Sequence, residues 1–85
     1  MVRERIQRIN YDANNDILYI KFPNDRGASY ASDGPRGLEI MRDMETDELT
    51  GIMVYYARTK KEERQQAINS LGLGIDIGHV LMTTT

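Results

Sequence analysis

A chain of 85 residues with 11 Lys+Arg against 13 Asp+Glu, a net charge of -2 and no cysteine reads as one small domain with neither a disulfide framework nor a thiolate metal site. The slight acidic balance argues against nucleic acid as a direct ligand, since such proteins as a rule carry a basic excess. No apolar run approaches the ~20 residues that cross a bilayer, and the charged start Met1-Val2-Arg3-Glu4-Arg5 holds no signal-peptide core, so the expectation is a cytoplasmic protein without a membrane partner.

In residues 5–11, Ile9 and Tyr11 alternate with Arg8 and Asn10, the first arm of a hairpin. Asp12-Ala13-Asn14-Asn15-Asp16 is its turn, because Asp and Asn side chains bond their own backbone and tolerate left-handed conformations. Residues 17–22 are the second arm, with Leu18, Ile20 and Phe22 on one face and Ile17, Tyr19 and Lys21 on the other. Pro23 to Gly27 breaks the ladder. Residues 28–32 read as a short, weak strand, and Gly34-Pro35 turns the chain again. Residues 37–44 resume the alternation, and Glu45 to Glu48 is a polar turn. Residues 51–57 are apolar on both parities, the mark of a strand inside the sheet with both faces covered.

Thr59-Lys60-Lys61-Glu62 has the spacing of a capping box, in which hydroxyl and carboxylate each satisfy a backbone N–H of the other residue. It predicts a helix over residues 60–71 with an apolar stripe of Ala67, Ile68 and Leu71, closed by a left-handed Gly72. Leu73, Ile75 and Ile77 then alternate with Gly74, Asp76 and Gly78 as a final strand. The fold class is α+β: a small curved antiparallel sheet of four to five strands with one C-terminal helix and a short terminal strand. Leu18, Ile20, Phe22, Ile52, Val54, Ile68 and Leu71 are its expected core.

One short helix cannot cover two faces. Ile17, Tyr19, Met53 and Tyr55 point away from that core and form the candidate interface, for a homodimer or for another small protein. The competing expectation is that residues 73–77 or the N-terminus fold over them. A second candidate surface is basic: Arg58, Lys60, Lys61 and Arg64 gather at the expected helix start, where cations oppose the helix dipole. They are the candidate contact for an anion or an acidic partner, set against a plain solvated face with Glu62 and Glu63 interspersed.

Motifs of chemistry are sparse. Asp12-x-Asn14-x-Asp16 imitates the start of a calcium loop, but its sixth position is Ile17 and its twelfth is Pro23. Asp43-x-Glu45-x-Asp47 fails likewise at Glu48 and Val54. Gly72, Gly74 and Gly78 follow a helix, whereas a phosphate loop must lead into one. His79 is the only histidine and has no second His or Cys for a transition-metal site. No serine stands in a nucleophile elbow. The expectation is no catalysis, no cofactor and no metal.

Tyr11-Asp12, Asp16, Leu18-Tyr19-Ile20 and Phe22 resemble the opening signature of a small prokaryotic family, domain of unknown function 2283, whose members begin Tyr-Asp-x-x-x-Asp-x-Leu-Tyr-Ile-x-Phe. The resemblance runs over roughly residues 9–57. It continues through a serine-containing strand (Ser29 or Ser32), a strand ending in Asp43, and Gly51-Ile52-Met53-Val54. Met53 stands where the family has glutamate. The resemblance implies no established activity; its one lead is that some members look like the antitoxin half of toxin–antitoxin pairs. The leading expectation is therefore a non-enzymatic protein-interaction module, antitoxin-like on that lead. Behind it stand a structural homo-oligomer and a ligand binder or enzyme built on Tyr19, Asp16 and Glu39.

Overall fold

The hairpin turn at Asp12 forms from its own side chains. Asp12 Oδ1 accepts the backbone N–H groups of Asn14 and Asn15 at 3.1 and 3.3 Å, and Asp16 takes the left-handed φ of 56° that reverses the chain. In the computed structural model, which describes residues 8–83, this turn joins β1 (Arg8–Asp12) to β2 (Ile17–Lys21). There follow β3 (Ser29–Asp33), β4 (Leu38–Asp43), β5 (Leu49–Tyr55), α1 (Lys61–Ser70) and α2 (Ile77–Thr83). The expected part of the first arm before Arg8 lies outside the described residues.

The strands make one five-stranded antiparallel sheet in the order β1-β2-β5-β4-β3. β5, the strand apolar on both parities, inserts between β2 and β4, with Leu18 opposite Val54 and Ile20 opposite Ile52. Leu18, Ile20, Leu38, Ile40, Ile52 and Val54 are all buried. They share one face, and all but Ile40 belong to the cluster in which Ala67 and Ile68 of α1 and Ile77, Val80 and Leu81 of α2 pack. Phe22 and Leu71 lie at the margin of this core and are only partly buried. The fold is α+β, a small sheet backed by C-terminal helix, as the pattern predicts.

Two local expectations are corrected. Residues 73–77 form no strand: Ile75 and Ile77 do turn into the core, but on the helical side of the sheet, and α2 starts at Ile77. The Gln65 side chain takes the place of a neighbouring strand there. Its Nε2 donates to the Ile75 carbonyl at 2.7 Å and its Oε1 accepts the Ile77 N–H at 2.8 Å. Nor does Thr59 cap α1. The N-cap is Lys60, with no side-chain bond; Thr59 is turned to Asp16 instead, its N–H given to Asp16 Oδ2 at 3.0 Å and its side chain bonding the same carboxylate. Gly72, at φ 71°, does close α1, donating its N–H to the Asn69 carbonyl at 2.9 Å.

Candidate functional site

Both helices lie on one face of the sheet, and among the described residues none lies on the other. Strand alternation puts β1 residues Arg8, Asn10 and Asp12 on that open face with Ile17, Tyr19 and Lys21 of β2. Register continues the rows. Ile17 stands opposite Tyr55, Tyr19 opposite Met53 and Lys21 opposite Gly51. Met53 in turn pairs with Glu39, Gly51 with Met41, and beyond them stand Asp33 and Ala31. The four candidate interface residues thus form one contiguous block on β2 and β5. Each is partly exposed.

The block has polar edges. Tyr55 donates its hydroxyl to Glu39 Oε1 at 2.6 Å, and this bond to a carboxylate raises the tyrosine pKa above its ordinary value. Gly51 leaves its row without a side chain: a Cβ there would stand 2.7 Å from the Ile20 carbonyl oxygen. A shallow depression of about 240 Å³ opens in this region, bounded by Tyr19, Met41 and Met53 with Arg8 and Lys21 at its rim. The arrangement can bury apolar area and offers hydrogen-bonding groups around it. Among the described residues, no nucleophile–base pair is assembled there.

Asp16 and Glu39 are held by different partners and do not form a carboxylate pair. Asp16 accepts the Tyr11 hydroxyl at 2.7 Å and the Arg58 and Thr59 N–H groups at 2.8 and 3.0 Å. Burial pushes its pKa up, but these bonds outweigh burial and hold it at about 2. It is the latch between the first hairpin and the turn ahead of α1. Asp43 does the same for the β4–β5 turn. It is buried, and its Oδ1 accepts the Glu45 and Thr46 N–H groups at 2.7 and 3.0 Å. Its Oδ2 meets Arg26 at 3.1 Å. The backbone donors, before the arginine, keep its pKa below the ordinary value. Both acidic loops thus turn their leading oxygens to their own backbone. Among the described residues, no three His, Cys, Asp or Glu side chains gather as a metal site.

Of the basic cluster, Arg58, Lys60 and Lys61 line one surface depression together and Arg64 does not. Arg58, Lys60 and Lys61 are exposed, and Arg58 lies 5.2 Å from the centre of the Tyr11 ring. Arg64 is only 6% exposed and donates Nε to the Tyr55 carbonyl at 2.6 Å. Its guanidinium passes so close to Gly37 that a Cβ there would stand 2.1 Å from Cζ. Arg64 is therefore a strut between α1 and the sheet, and it leaves the candidate anion contact. Sequence carries the signal for this: Arg64, Ala67, Ile68 and Leu71 share the i, i+3, i+4, i+7 spacing of one helix face. The roles of Asp16, Gln65 and Gly37 depend on distant partners and have no such local signal.

Among the described residues, no helix is long and apolar enough to cross a membrane. Compared with protein-family models, with curated proteins and with solved structures, the chain shows no significant match.

Proposed function

We propose that this protein is a non-enzymatic protein-interaction module that docks through its open sheet face. The observation that carries the reading is the block of Ile17, Tyr19, Met53 and Tyr55, adjacent in register on the side opposite both helices. Tyrosine and methionine are enriched at the centres of interfaces, and a tyrosine hydroxyl stays satisfied at a wet rim. Met53 adds to the case. It lies between Tyr19 and Glu39, and a glutamate at this position would repel Glu39 and wet the middle of the face. The lack of cysteine suits work in a reducing cytoplasm. The likeness of Tyr11 to Phe22 to the domain of unknown function 2283 signature supports an antitoxin-like role.

A photo-crosslinking residue in place of Tyr19, expressed in the native cell, tests the docking surface. Discrete protein adducts are expected from position 19, the chain's own copies included, and none from the exposed α1 residue Gln66. A face that yields no adduct, or the same smear as position 66, would remove it as a docking surface.

A further inference from the structure

We propose that the occupant of the open face is a second copy of this chain, placed by a two-fold axis that runs parallel to the strands over β5. The proposal rests on the reading of that face as a docking surface and names its partner.

The argument is charge and shape. β5 is the middle of five strands, with β2 and β1 on one side and β4 and β3 on the other. The open-face cations stand on the first side, Lys21 one strand from β5 and Arg8 two strands away; Asp12 shares that side, but both its carboxylate oxygens are taken by Asn14 and Asn15 of its own turn. The open-face anions of the other side mirror them, Glu39 one strand from β5 and Asp33 two strands away. A two-fold over β5 and along the strands exchanges the two sides. It sets Lys21 of each copy over the strand that carries Glu39 of the other, and Arg8 over the strand that carries Asp33. The members of each pair are one row apart along the strands, a step of ~7 Å that long side chains span. A two-fold running across the strands would instead lay every strand over its own copy, Glu39 column on Glu39 column and Asp33 on Asp33. Like charges so placed oppose association.

Shape agrees with charge. The low point of the face is the Gly51 row, between Lys21 and Met41. Gly51 lies on the axis strand, so the exchange brings Met41 of one copy over the Lys21 side of that depression in the other. Methionine fills irregular gaps well, being unbranched and flexible. Tyr19 and Met53 of the two copies close around the axis. The hydrophobic core lies on the opposite face, so each copy keeps its fold when the pair separates.

Sedimentation of the full chain from micromolar to millimolar concentration tests the pairing. The wild type should pass from monomer to dimer, and Tyr19→Glu should stay monomeric with an unchanged far-ultraviolet spectrum. The geometry is tested by charge exchange at Arg8 and Asp33. Lys21 and Glu39 are the second choice, because Lys21 already meets Asp25 at 3.4 Å and Glu39 holds the Tyr55 hydroxyl. Arg8→Glu and Asp33→Arg should each weaken the dimer roughly tenfold, and the double variant should return to within about threefold of wild type. The exchange at Lys21 and Glu39 should repeat the rescue should either edge variant fold poorly. A wild type monomeric at every concentration overturns the second copy, while adducts of another protein at position 19 would still uphold the docking surface. A dimer indifferent to Tyr19→Glu overturns the use of this face. A dimer lost in both single variants and not restored in the double overturns the axis.

Discussion

Asp16 joins elements that sequence keeps far apart. Its carboxylate receives Tyr11 from β1 and the N–H groups of Arg58 and Thr59 from the turn after β5, while its own carbonyl accepts the Ala57 N–H at 3.1 Å. Asp16→Ala should destabilise the protein by roughly 2–3 kcal/mol in urea unfolding, since bonds to a charged acceptor are lost and alanine lacks the short polar side chain that lets Asp tolerate a left-handed backbone. Asp16→Asn tolerates the backbone and should lose less. The sign of the pH effect follows from the folded value of about 2 against the ordinary 3.8. Because the folded pKa is the lower, Asp16 contributes stability above about pH 4, and the contribution disappears as pH falls towards about 2. Urea midpoints measured over that window should fall less steeply in Asp16→Asn. Gly37 is the second residue with a tight assignment. It sits at φ 73° directly against the Arg64 guanidinium, so Gly37→Ala should destabilise by about 2–4 kcal/mol through strain and overlap together. Removing the arginine relieves the overlap alone. A double-mutant cycle with Arg64→Ala should therefore be clearly less than additive.

At the scale of the element, the Gln65 side chain ties the start of α2 to α1. Gln65 bonds the Ile75 carbonyl and the Ile77 N–H, and Asp76 Oδ1 accepts the His79 N–H at 3.2 Å in the manner of an N-cap. Gln65→Ala should cost about 1–3 kcal/mol and should abolish hydrogen-exchange protection of the Ile77 amide before that of β5. The strands were legible because a sheet with one buried face alternates residue by residue, and the insertion of β5 followed from its two apolar parities. The helix α2 was also written in the chain, in Ile77, Val80 and Leu81 at helical spacing, yet the same Ile77 completes an alternation with Leu73 and Ile75. Local pattern cannot separate the two where an extended segment runs into a helix. Thr59 failed for another reason. Its capping-box spacing is real, but a carboxylate forty-three residues away competes for its N–H, and long-range partners leave no mark on local spacing. Arg64 leaves the basic cluster because its helical phase, shared with Ala67 and Ile68, outweighs its charge and turns it inward. The interface block was legible as parity, and its adjacency across β2 and β5 follows once β5 is placed in the middle.

Among the described residues the sheet has a dry side and an open side, and neighbouring residues of one strand report them separately. Leu18 is fully buried beneath the helices, whereas Tyr19 stands partly exposed on the other side, opposite Met53. A domain of this size sits near the low end of the ~5–15 kcal/mol range of folding stability. Leu18→Ala removes a buried side chain from the core and should cost about 2–5 kcal/mol, enough to leave much of the protein unfolded in dilute solution. Tyr19→Ala leaves that core untouched and in dilute solution should change stability by less than about 1 kcal/mol. The contrast sharpens with concentration. Association that is confined to the folded state raises the melting temperature as protein is added, so the wild type should melt higher at millimolar than at micromolar concentration. Tyr19→Ala should lose most of that rise and keep its dilute-solution melting point. Calorimetry at several concentrations separates the two sides of the sheet. A Tyr19→Ala protein as damaged in dilute solution as Leu18→Ala would mean that the open side is covered by its own chain.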